Sequence, residues 1–288
     1  MSFLGTKSKQ ELDQQIILMY HKVSDRYSDY FTSLKVKVFE KQIRFLHRFY
    51  SIVSLEDLFH AKAASSKKTR IAITFDDGYH CIYKHAYPIL KKLAIPATIF
   101  IAAGLIENNL PVWTDLVDYC SKNKERLCLE FPDKNTLKTL PNTQRLEVLK
   151  EMVEGTSLPA NIQSALQMCS WNEIREMSEN NISFGGHTMT HPILSKVSLE
   201  QARYEIQESK KIIETRMDRP INTFAYPNGQ PDDFNAEIKQ IVKDTGYRLA
   251  CTTIFGKNYQ KTDPYELKRI YTSGNSILKF ALRLWKTN

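Results

Sequence analysis

Apolar runs that read as buried strands alternate with amphipathic helical patterns along almost the whole chain. The strand candidates are IILMY (16–20), RIAITF (70–75), ATIFIAA (97–103), ISFGG (182–186), NTFAY (222–226), YRLACTT (247–253) and ELKRIY (266–271). The helix candidates between them are VFEKQIRFLHRFY, LEDLFHA, IYKHAYPILKKLA, WNEIREMSE, LEQARYEIQESKKIIETRM and FNAEIKQIVKDTG. Successive parallel strands need crossover helices, so this order predicts an α/β fold with a mainly parallel sheet. About seven strands favour a closed or nearly closed (β/α) barrel over an open sheet, although the number of strands alone does not decide closure.

Residues 104–170 interrupt this rhythm. They contain charged helical stretches and Pro/Asn turns but no convincing strand, so we interpret them as an insertion. Long inserts after barrel strands often shape a substrate entrance, and a purely structural cap is the alternative. We therefore expect a barrel over 14–275, with the insertion at 104–170, followed by a C-terminal basic amphipathic helix at 276–288.

Composition indicates a globular chain in a reducing compartment. The 288 residues are 42% hydrophobic, which is enough for a substantial core. The polar N-terminus has no apolar signal region, and the longest apolar run, Ile95 to Ile106, is too short to cross a bilayer. The five cysteines are scattered without a C-x-x-C pair, which indicates reduced thiols. We expect a cytoplasmic protein.

Polar residues with chemical potential follow several of the predicted strands. In a parallel sheet or barrel, function gathers where strands end at their carboxyl edge. The residues found there are Asp76 and Asp77, His187 and His191, His21, and the sequence Pro227, Asn228, Gly229.

Two histidines four residues apart and one carboxylate can form a metal site. Three protein ligands leave an open position, which is the arrangement of catalytic zinc. Asp76 and Asp77 project in different directions, so one can bind the cation while the other accepts a proton from water. The alternatives are ordinary loop histidines and a solvated acidic turn. We favour a divalent metal bound by Asp77, His187 and His191, with Zn²⁺ expected and Co²⁺, Ni²⁺ or Mn²⁺ as alternatives.

TFDDG followed by HTMTH resembles the polysaccharide deacetylase family, the metal-dependent sugar N-deacetylases of carbohydrate esterase family four. The similarity covers roughly residues 14 to 272. It implies a distorted (β/α) barrel and hydrolysis of the N-acetyl group of an N-acetylhexosamine. It also implies that Asp76 is the catalytic base and that Asp77, His187 and His191 are metal ligands.

The chain departs from this family pattern in its third motif. The family has an arginine, any residue, proline, an aromatic residue and glycine, and that arginine normally orients the catalytic aspartate. Here FAYPNG places Ala225 or its neighbourhood at the arginine position. Another basic residue could replace it, and Arg269 is the candidate. The backbone N–H of Asn228 is the expected donor to the oxyanion.

The usual C-terminal histidine of the family is also missing. The sequence offers His21 instead, at the end of the first strand, in a MYH arrangement that resembles the exopolysaccharide-deacetylase subgroup. The first and last strands of a closed barrel are neighbours, so His21 can occupy the vacant place. We assign it as the general acid; a histidine at the edge of the core is the alternative.

The expected substrate is an N-acetylated sugar in a glycan or in a lipid-linked or nucleotide-linked precursor. Trp113, Tyr226 and Pro227 are predicted to contact it, although an aromatic residue in a barrel is more often core. No nucleic acid is expected. The rival interpretations are a metal amidohydrolase acting on another small amide and a non-catalytic glycan-binding relative.

The last segment, SILKFALRLWKTN, places Ile277, Phe280, Ala281, Leu284 and Trp285 on one helical face and basic residues elsewhere. Such a helix could lie on the inner face of a membrane, and the net charge of +8 would then favour anionic lipids. Packing against the barrel is the alternative.

Overall fold

The computed structural model describes residues 14–25, 33–60, 68–123, 132–155, 158–272, 274 and 276–286. Its strands are β1 (Gln15–Tyr20), β2 (Lys22–Val23), β3 (Ser33–Leu34), β4 (Ser51–Ile52), β5 (Arg70–Phe75), β6 (Ala97–Ile101), β7 (Ile182–Gly186), β8 (Thr223–Ala225), β9 (Leu249–Phe255) and β10 (Leu267–Tyr271). The helices are α1 (Val36–Phe49), α2 (Leu55–His60), α3 (Tyr87–Lys92), α4 (Ala103–Asn108), α5 (Trp113–Lys122), α6 (Lys134–Thr139), α7 (Asn142–Gly155), α8 (Ala160–Leu166), α9 (Trp171–Ser178), α10 (Leu199–Met217), α11 (Ala236–Asp244) and α12 (Ile277–Lys286).

Seven parallel strands close into a barrel, which confirms the predicted fold class. The order is β1-β10-β9-β8-β7-β6-β5, and β1 pairs again with β5 to complete the ring. The β1–β5 register runs from Gln15 opposite Arg70 to Tyr20 opposite Phe75. The short β4 pairs with Arg70 and Ile71 at the start of β5, and β2 and β3 pair with each other. These three short strands were not predicted.

The predicted helix over 82–94 begins differently from expectation. Residues Ile82–Ala86 form a π-helical turn, in which the N–H of Tyr87 bonds to the carbonyl of Ile82. Pro88 follows directly in the first turn of α3. Proline lacks the N–H that would continue the regular ladder, so the wider turn absorbs the mismatch.

Alternation along the strands separates the barrel interior from its outer layer. Ile17, Ala72, Phe100, Cys251 and Leu267 belong to one buried cluster together with Leu55 and Leu58 of α2. Their neighbours along the strands, such as Ile16, Leu18, Ile71, Ile73 and Ile270, belong to a second cluster with the surrounding helices. Because side chains alternate with a period of two, the interior row of β5 continues through Thr74 to Asp76.

The described part of the insertion is helical. Helices α5 to α8 share a hydrophobic cluster of their own, whose members include Trp113, Leu116, Leu137, Leu149 and Ile162. The insertion therefore has a hydrophobic core separate from that of the barrel.

Only part of the apolar surface of the C-terminal helix α12 packs against the rest of the protein. Phe280 and Leu284 are buried, and the Phe280 ring lies 6.2 Å from that of Phe45 on α1. Trp285, predicted on the same face, is 70% exposed, and Leu278 is 67% exposed. The predicted single apolar face is thus divided into a packed face and an exposed one. Among the described residues, no helix combines the length and apolarity that crossing a membrane requires.

An aromatic cluster attaches α1 to the outside of the barrel. The Phe39 ring packs edge-on against Tyr20 at 5.2 Å and lies 5.9 Å from Phe75. We predict that Phe39→Ala lowers the free energy of unfolding by about 3–5 kcal/mol, because it opens a cavity in this cluster. Urea unfolding curves would measure the loss.

Phe49→Ala on the same helix is the matched control, since Phe49 is 49% exposed whereas Phe39 is fully buried. Its effect should stay below about 1 kcal/mol. Equal losses in the two variants would contradict the assigned packing.

Candidate metal centre and active-site cleft

The two adjacent aspartates occupy different environments at the carboxyl end of β5. Asp76 ends the interior row of the strand and is buried, with its N–H bonded to the carbonyl of Tyr20. Asp77 adopts a left-handed conformation with φ of 75°, and Gly78 follows with φ of 86°. A Cβ on Gly78 would lie 2.7 Å from the side chain of Ile101, so the turn requires glycine. The turn aims the two carboxylates in different directions.

The structure brings Asp77, His187 and His191 together. Oδ1 of Asp77 lies 3.6 Å from Nε2 of His187 and 3.5 Å from Nε2 of His191. The ligand atoms of the three residues all lie within 4.8 Å of one another, and all three residues are buried. Two ligands about 2 Å from a tetrahedral ion would lie about 3.3 Å apart, so the carboxylate-to-imidazole spacings fit a zinc-sized cation.

The hydrogen bonding of His187 supports the same conclusion. Its Nδ1 donates to the carbonyl oxygen of Ala225 over 2.7 Å. A carbonyl can only accept, so Nδ1 carries the hydrogen and the lone pair of the neutral ring is on Nε2, facing Asp77. A lone pair and a carboxylate oxygen repel each other unless a cation lies between them. The donor set therefore fits a divalent metal.

The pKa shifts of the three residues show how strongly they interact. Burial raises the pKa of Asp77. Protonated His187 could donate to this carboxylate from Nε2, and this bond, together with the positive charge of protonated neighbouring histidines, outweighs burial and holds that pKa well below its usual range. Burial lowers the pKa of His187, but contact with Asp77 outweighs burial and raises it. Burial and the neighbouring His187 lower the pKa of His191 to about 3. His191 is thus a neutral imidazole.

Asp76 is paired with Arg269 inside the barrel. The guanidinium donates from Nη1 to Oδ1 at 2.6 Å and from Nη2 to Oδ2 at 2.7 Å. Nε of Arg269 donates to the carbonyl of Thr252, and Nη1 also reaches Thr74. Burial alone raises the pKa of Asp76, but Arg269, His21 and His187 outweigh it and lower the pKa. Asp76 is therefore held as an oriented carboxylate.

His21 and Asn228 lie at the same rim as the aspartates. His21 is partly exposed in the cleft, with Nε2 3.7 Å from Oδ2 of Asp76. Asn228 also lines the cleft and is left-handed, with φ of 57°. Among the described residues, its backbone N–H has no hydrogen-bond partner, and its buried side-chain Nδ2 has none either.

The structure does not bring Trp113, Tyr226 and Pro227 to the cleft surface. Trp113 is buried, and its Nε1 donates to the carbonyl oxygen of His191 over 3.0 Å. Tyr226 is buried against Phe234 and donates from its hydroxyl to the carbonyl of Tyr265. Pro227, which follows Tyr226 in the chain, is also buried. Packing and hydrogen bonding to backbone occupy the two aromatic rings that were expected to meet substrate.

The insertion forms one wall of the cleft. Asp115 on the first turn of α5 accepts hydrogen bonds from Lys22 and from the hydroxyl of Tyr79, and the Lys22 ammonium lies 4.1 Å from the centre of the Tyr79 ring. Asp118 on the same helix pairs with Lys134 of α6 at 2.7 Å. The cleft has a volume of about 590 Å³, which lies in the range of small-molecule sites.

Sequence reasoning missed Lys22, Tyr79, Asp115 and Glu205. Glu205 lies on α10 and bonds the loop between the two histidines. A signal for it exists, because it falls among Ala202, Ile206, Ser209 and Ile213 on the buried stripe of an amphipathic helix. A charge on such a stripe must have internal partners. For Asp115 the sequence holds no comparable signal, because an aspartate in the first turn of a helix is ordinarily explained by the helix dipole and by solvent.

The chain matches the family model described as "Polysaccharide deacetylase" over residues 63–250. It is 25% identical over 262 residues to the Bacillus subtilis protein YxkH, covering 89% of this chain and 71% of that protein. It is 42% identical over 74 residues to a poly-beta-1,6-N-acetyl-D-glucosamine N-deacetylase of Staphylococcus aureus, covering 25% of this chain and 26% of that enzyme. That match therefore spans about a quarter of either protein.

The fold is similar to that of the Streptococcus pyogenes deacetylase PplD, solved in complex with acetate. The two structures superpose with a TM-score of 0.68 at 22% sequence identity, covering 94% of this chain and 97% of the other.

Loss of the guanidinium beside Asp76 should destabilise the protein. We predict that Arg269→Met lowers the free energy of unfolding by about 3–5 kcal/mol, because it leaves a buried carboxylate without its charged partner. Urea unfolding of the metal-free protein measures this loss.

The double variant Asp76→Asn/Arg269→Met removes both charges, so it should lie closer to wild type than the single variant does. If Arg269→Met alone were as stable as wild type, the buried ion pair would not have the assigned role.

Proposed function

The chain belongs to the polysaccharide deacetylase family, whose model matches more than half of it, and we propose that it is a metal-dependent N-deacetylase of an N-acetylhexosamine. The observation that carries this proposal is the contact between Arg269 and Asp76 next to the cluster of Asp77, His187 and His191. A proton acceptor and a metal-ligand set at one rim are what amide hydrolysis needs.

A divalent cation bound by Asp77, His187 and His191 would polarise the acetamide carbonyl and lower the pKa of water in the site. We propose Zn²⁺, with Co²⁺, Ni²⁺ and Mn²⁺ as the alternatives that reconstitution compares. Asp76 takes the proton of the attacking water as general base. Its two hydrogen bonds to Arg269 fix the plane of the carboxylate, and the lowered pKa keeps it ionised.

Two further groups act on the acetamide. The backbone N–H of Asn228, a residue that lines the cleft, has no partner among the described residues and is the proposed donor to the developing oxyanion. His21 protonates the leaving amine, and its partial exposure supports this role because the ring can reach a bound sugar. The products are acetate and a sugar with a free amine.

The proposed substrate is an N-acetylglucosamine-type sugar, because the Staphylococcus aureus relative is named for poly-beta-1,6-N-acetyl-D-glucosamine. The cleft is open and lined by carboxylates and lysines of the insertion. These polar groups suit a sugar that is linked to a second sugar or to a charged carrier. Of the carriers considered, a lipid-linked precursor also agrees with the exposed apolar side of α12.

Acetate release tests the function. The zinc-loaded protein is offered N-acetylglucosamine oligomers, lipid-linked and nucleotide-linked N-acetylhexosamines, and simple acetamides. Release from at least one sugar, lost on chelation and restored by Zn²⁺, is the expected result. Release from simple acetamides but from no sugar would instead support a general amidohydrolase.

We predict that Asp76→Asn lowers kcat by about 10²–10⁴-fold while zinc content is retained, because the general base is lost. His21→Ala should lower kcat by about 10²-fold or more for loss of the general acid. His47→Ala, which changes an exposed histidine of α1, is the control for His21→Ala and should leave kcat unchanged. Full activity of Asp76→Asn would rule out the assigned base.

We propose that α12 binds to the surface of an anionic membrane. Leu278, Leu282 and Trp285 form an exposed stripe at i, i+4 and i+7, while Phe280 and Leu284 are buried, with Phe280 next to Phe45 of α1. The helix contains lysine and arginine but no acidic residue. It begins three residues after Gly274, which lines the cleft, so attachment would hold the cleft near the membrane.

The cytoplasmic location is likewise a proposal, and attachment would place the protein on the inner face of the membrane. Among the described residues, Cys81, Cys169 and Cys251 are free thiols, which supports a reducing compartment.

Co-sedimentation with vesicles tests the attachment. We predict that Leu278→Asp/Leu282→Asp lowers binding to anionic phosphatidylglycerol vesicles on the order of tenfold, because two apolar contacts with the lipid become charged. Leu199→Asp, at a leucine of α10 that is also exposed, should bind like wild type. Equal binding of all three proteins, or absence of wild-type binding, would contradict the proposal.

A further inference from the structure

We infer that Glu205 is a positioning residue for the metal centre, and that it holds the loop at 188–190 in the conformation that brings both histidines to Asp77. This inference rests on the proposed function, because it concerns the metal that the function requires. Glu205 touches neither the reacting atoms nor the imidazole rings. It acts through the backbone of the loop between His187 and His191.

The Glu205 carboxylate is fully buried and accepts four hydrogen bonds. Oε2 accepts from the N–H groups of Met189 and Thr190, both at 2.8 Å. Oε1 accepts from the hydroxyl of Thr190 at 2.7 Å and from the side-chain amide of Gln201 at 3.2 Å. Three of these four bonds go to the loop, and the fourth fixes the carboxylate on its own helix.

Gln201 connects the first turn of α10 to Glu205. Ser198 caps α10 by accepting from the N–H of Gln201. The Gln201 side chain bonds Glu205 instead of completing a capping box at Ser198. The first turns of α10 are thereby joined to the histidine loop.

The loop needs such support because its backbone is strained. Thr188 has φ of 69° and His191 has φ of 56°, and neither is glycine. Each left-handed residue of this kind costs about 1–3 kcal/mol and persists only when its surroundings impose it. Without external bonds, the loop would relax toward conformations that separate the two imidazoles.

Other contacts hold the carbonyl groups of the same loop. The N–H groups of Ala103 and Gly104, at the start of α4, donate to the carbonyls of Thr188 and Met189, both at 3.0 Å. Gly104 permits this approach, because a Cβ there would lie 2.9 Å from the Met189 oxygen. Among the described residues, the amides of Met189 and Thr190 bond only to Glu205. Its acceptor role is therefore not duplicated.

The charge of Glu205 is not isolated. Burial lowers the pKa of Arg145 to about 10, and the nearby carboxylate of Glu205 opposes that shift. Arg145 lies 5.0 Å over the Trp113 ring, whose Nε1 bonds the His191 carbonyl. The buried carboxylate is thus compensated by four donors and a neighbouring guanidinium.

Zinc affinity of the folded protein tests the inference. Glu205→Ala is expected to weaken Zn²⁺ binding by about 10- to 100-fold, as for other residues that orient metal ligands without binding the metal. Competition with a chromogenic chelator measures the affinity. Ser209→Ala is the matched control, because Ser209 is buried on the same helix and its hydroxyl has no partner among the described residues. Its Zn²⁺ affinity should stay within about twofold of wild type.

A purely structural role predicts a different result. In that case Glu205→Ala would unfold at lower urea concentration, but the fraction that remains folded would bind Zn²⁺ as tightly as wild type. Unchanged affinity in folded Glu205→Ala would overturn the inference. Wild-type protein that binds no zinc at all would instead overturn the proposed function, so the two failures are distinguishable.

Glu205→Gln keeps the test valid if the alanine variant does not fold. Its amide oxygen can accept from the N–H groups of Met189 and Thr190, and its amide nitrogen can donate to the Thr190 hydroxyl. The Gln201 amide must then turn its oxygen toward this nitrogen to keep the fourth bond. We expect affinity within about threefold of wild type. A folded Glu205→Gln variant that loses 10-fold or more would assign the effect to charge and overturn positioning by hydrogen bonds.

Thr190→Val approaches the same contact from the loop. It should weaken Zn²⁺ binding about two- to fivefold alone, and add little in the Glu205→Ala background, because the hydroxyl acts through Glu205. Additive losses in the double variant would show that Thr190 and Glu205 act separately, contrary to the inference.

Discussion

The site depends on the pairing of β1 with both β5 and β10, which closes the barrel. In the closed ring each of the seven strands pairs with a neighbour on both sides. Closure also brings all their carboxyl ends to one rim. Residues far apart along the chain therefore meet there. His21 lies at the end of β1, and Arg269 enters from β10 on the interior row next to it. In an open sheet with the same strands, β1 would pair with only one of these neighbours.

Two adjacent carboxylates are tolerated at this rim because each has its own compensating charge. Asp76 continues the inward row of β5 and meets the guanidinium of Arg269. Asp77 turns away through a left-handed backbone and meets the two imidazoles. The low dielectric around them makes the repulsion of unpaired carboxylates costly, so separate partners are needed. The same separation gives the two carboxylates different neighbours at one rim.

Much of the barrel could be predicted because its strands are apolar on both faces and lie between helical patterns. Arg269 could be anticipated, since an arginine in a buried strand needs an acidic partner. The role of Trp113 could not, because a tryptophan in an amphipathic helix can face either the cleft or the core of the insertion. The orientation of α12 was equally ambiguous, since apolar residues such as Leu278 and Phe280 lie on more than one side of that helix. Only tertiary packing decides which side meets the protein.

The insertion is hydrogen-bonded to the candidate metal site, although it has a hydrophobic core of its own. The first turn of α5 carries Trp113, which bonds the His191 carbonyl, and Asp115, which bonds Lys22 and Tyr79 beside the cleft. A shift of this turn would therefore move the wall of the cleft together with His191. The wall can change its exposed side chains, such as Asp118 and Lys134, without this effect because they pair with each other within the insertion. Exposed side chains can thus vary along α6 and the outer side of α5, while the first turn of α5 is constrained by its hydrogen bond to His191.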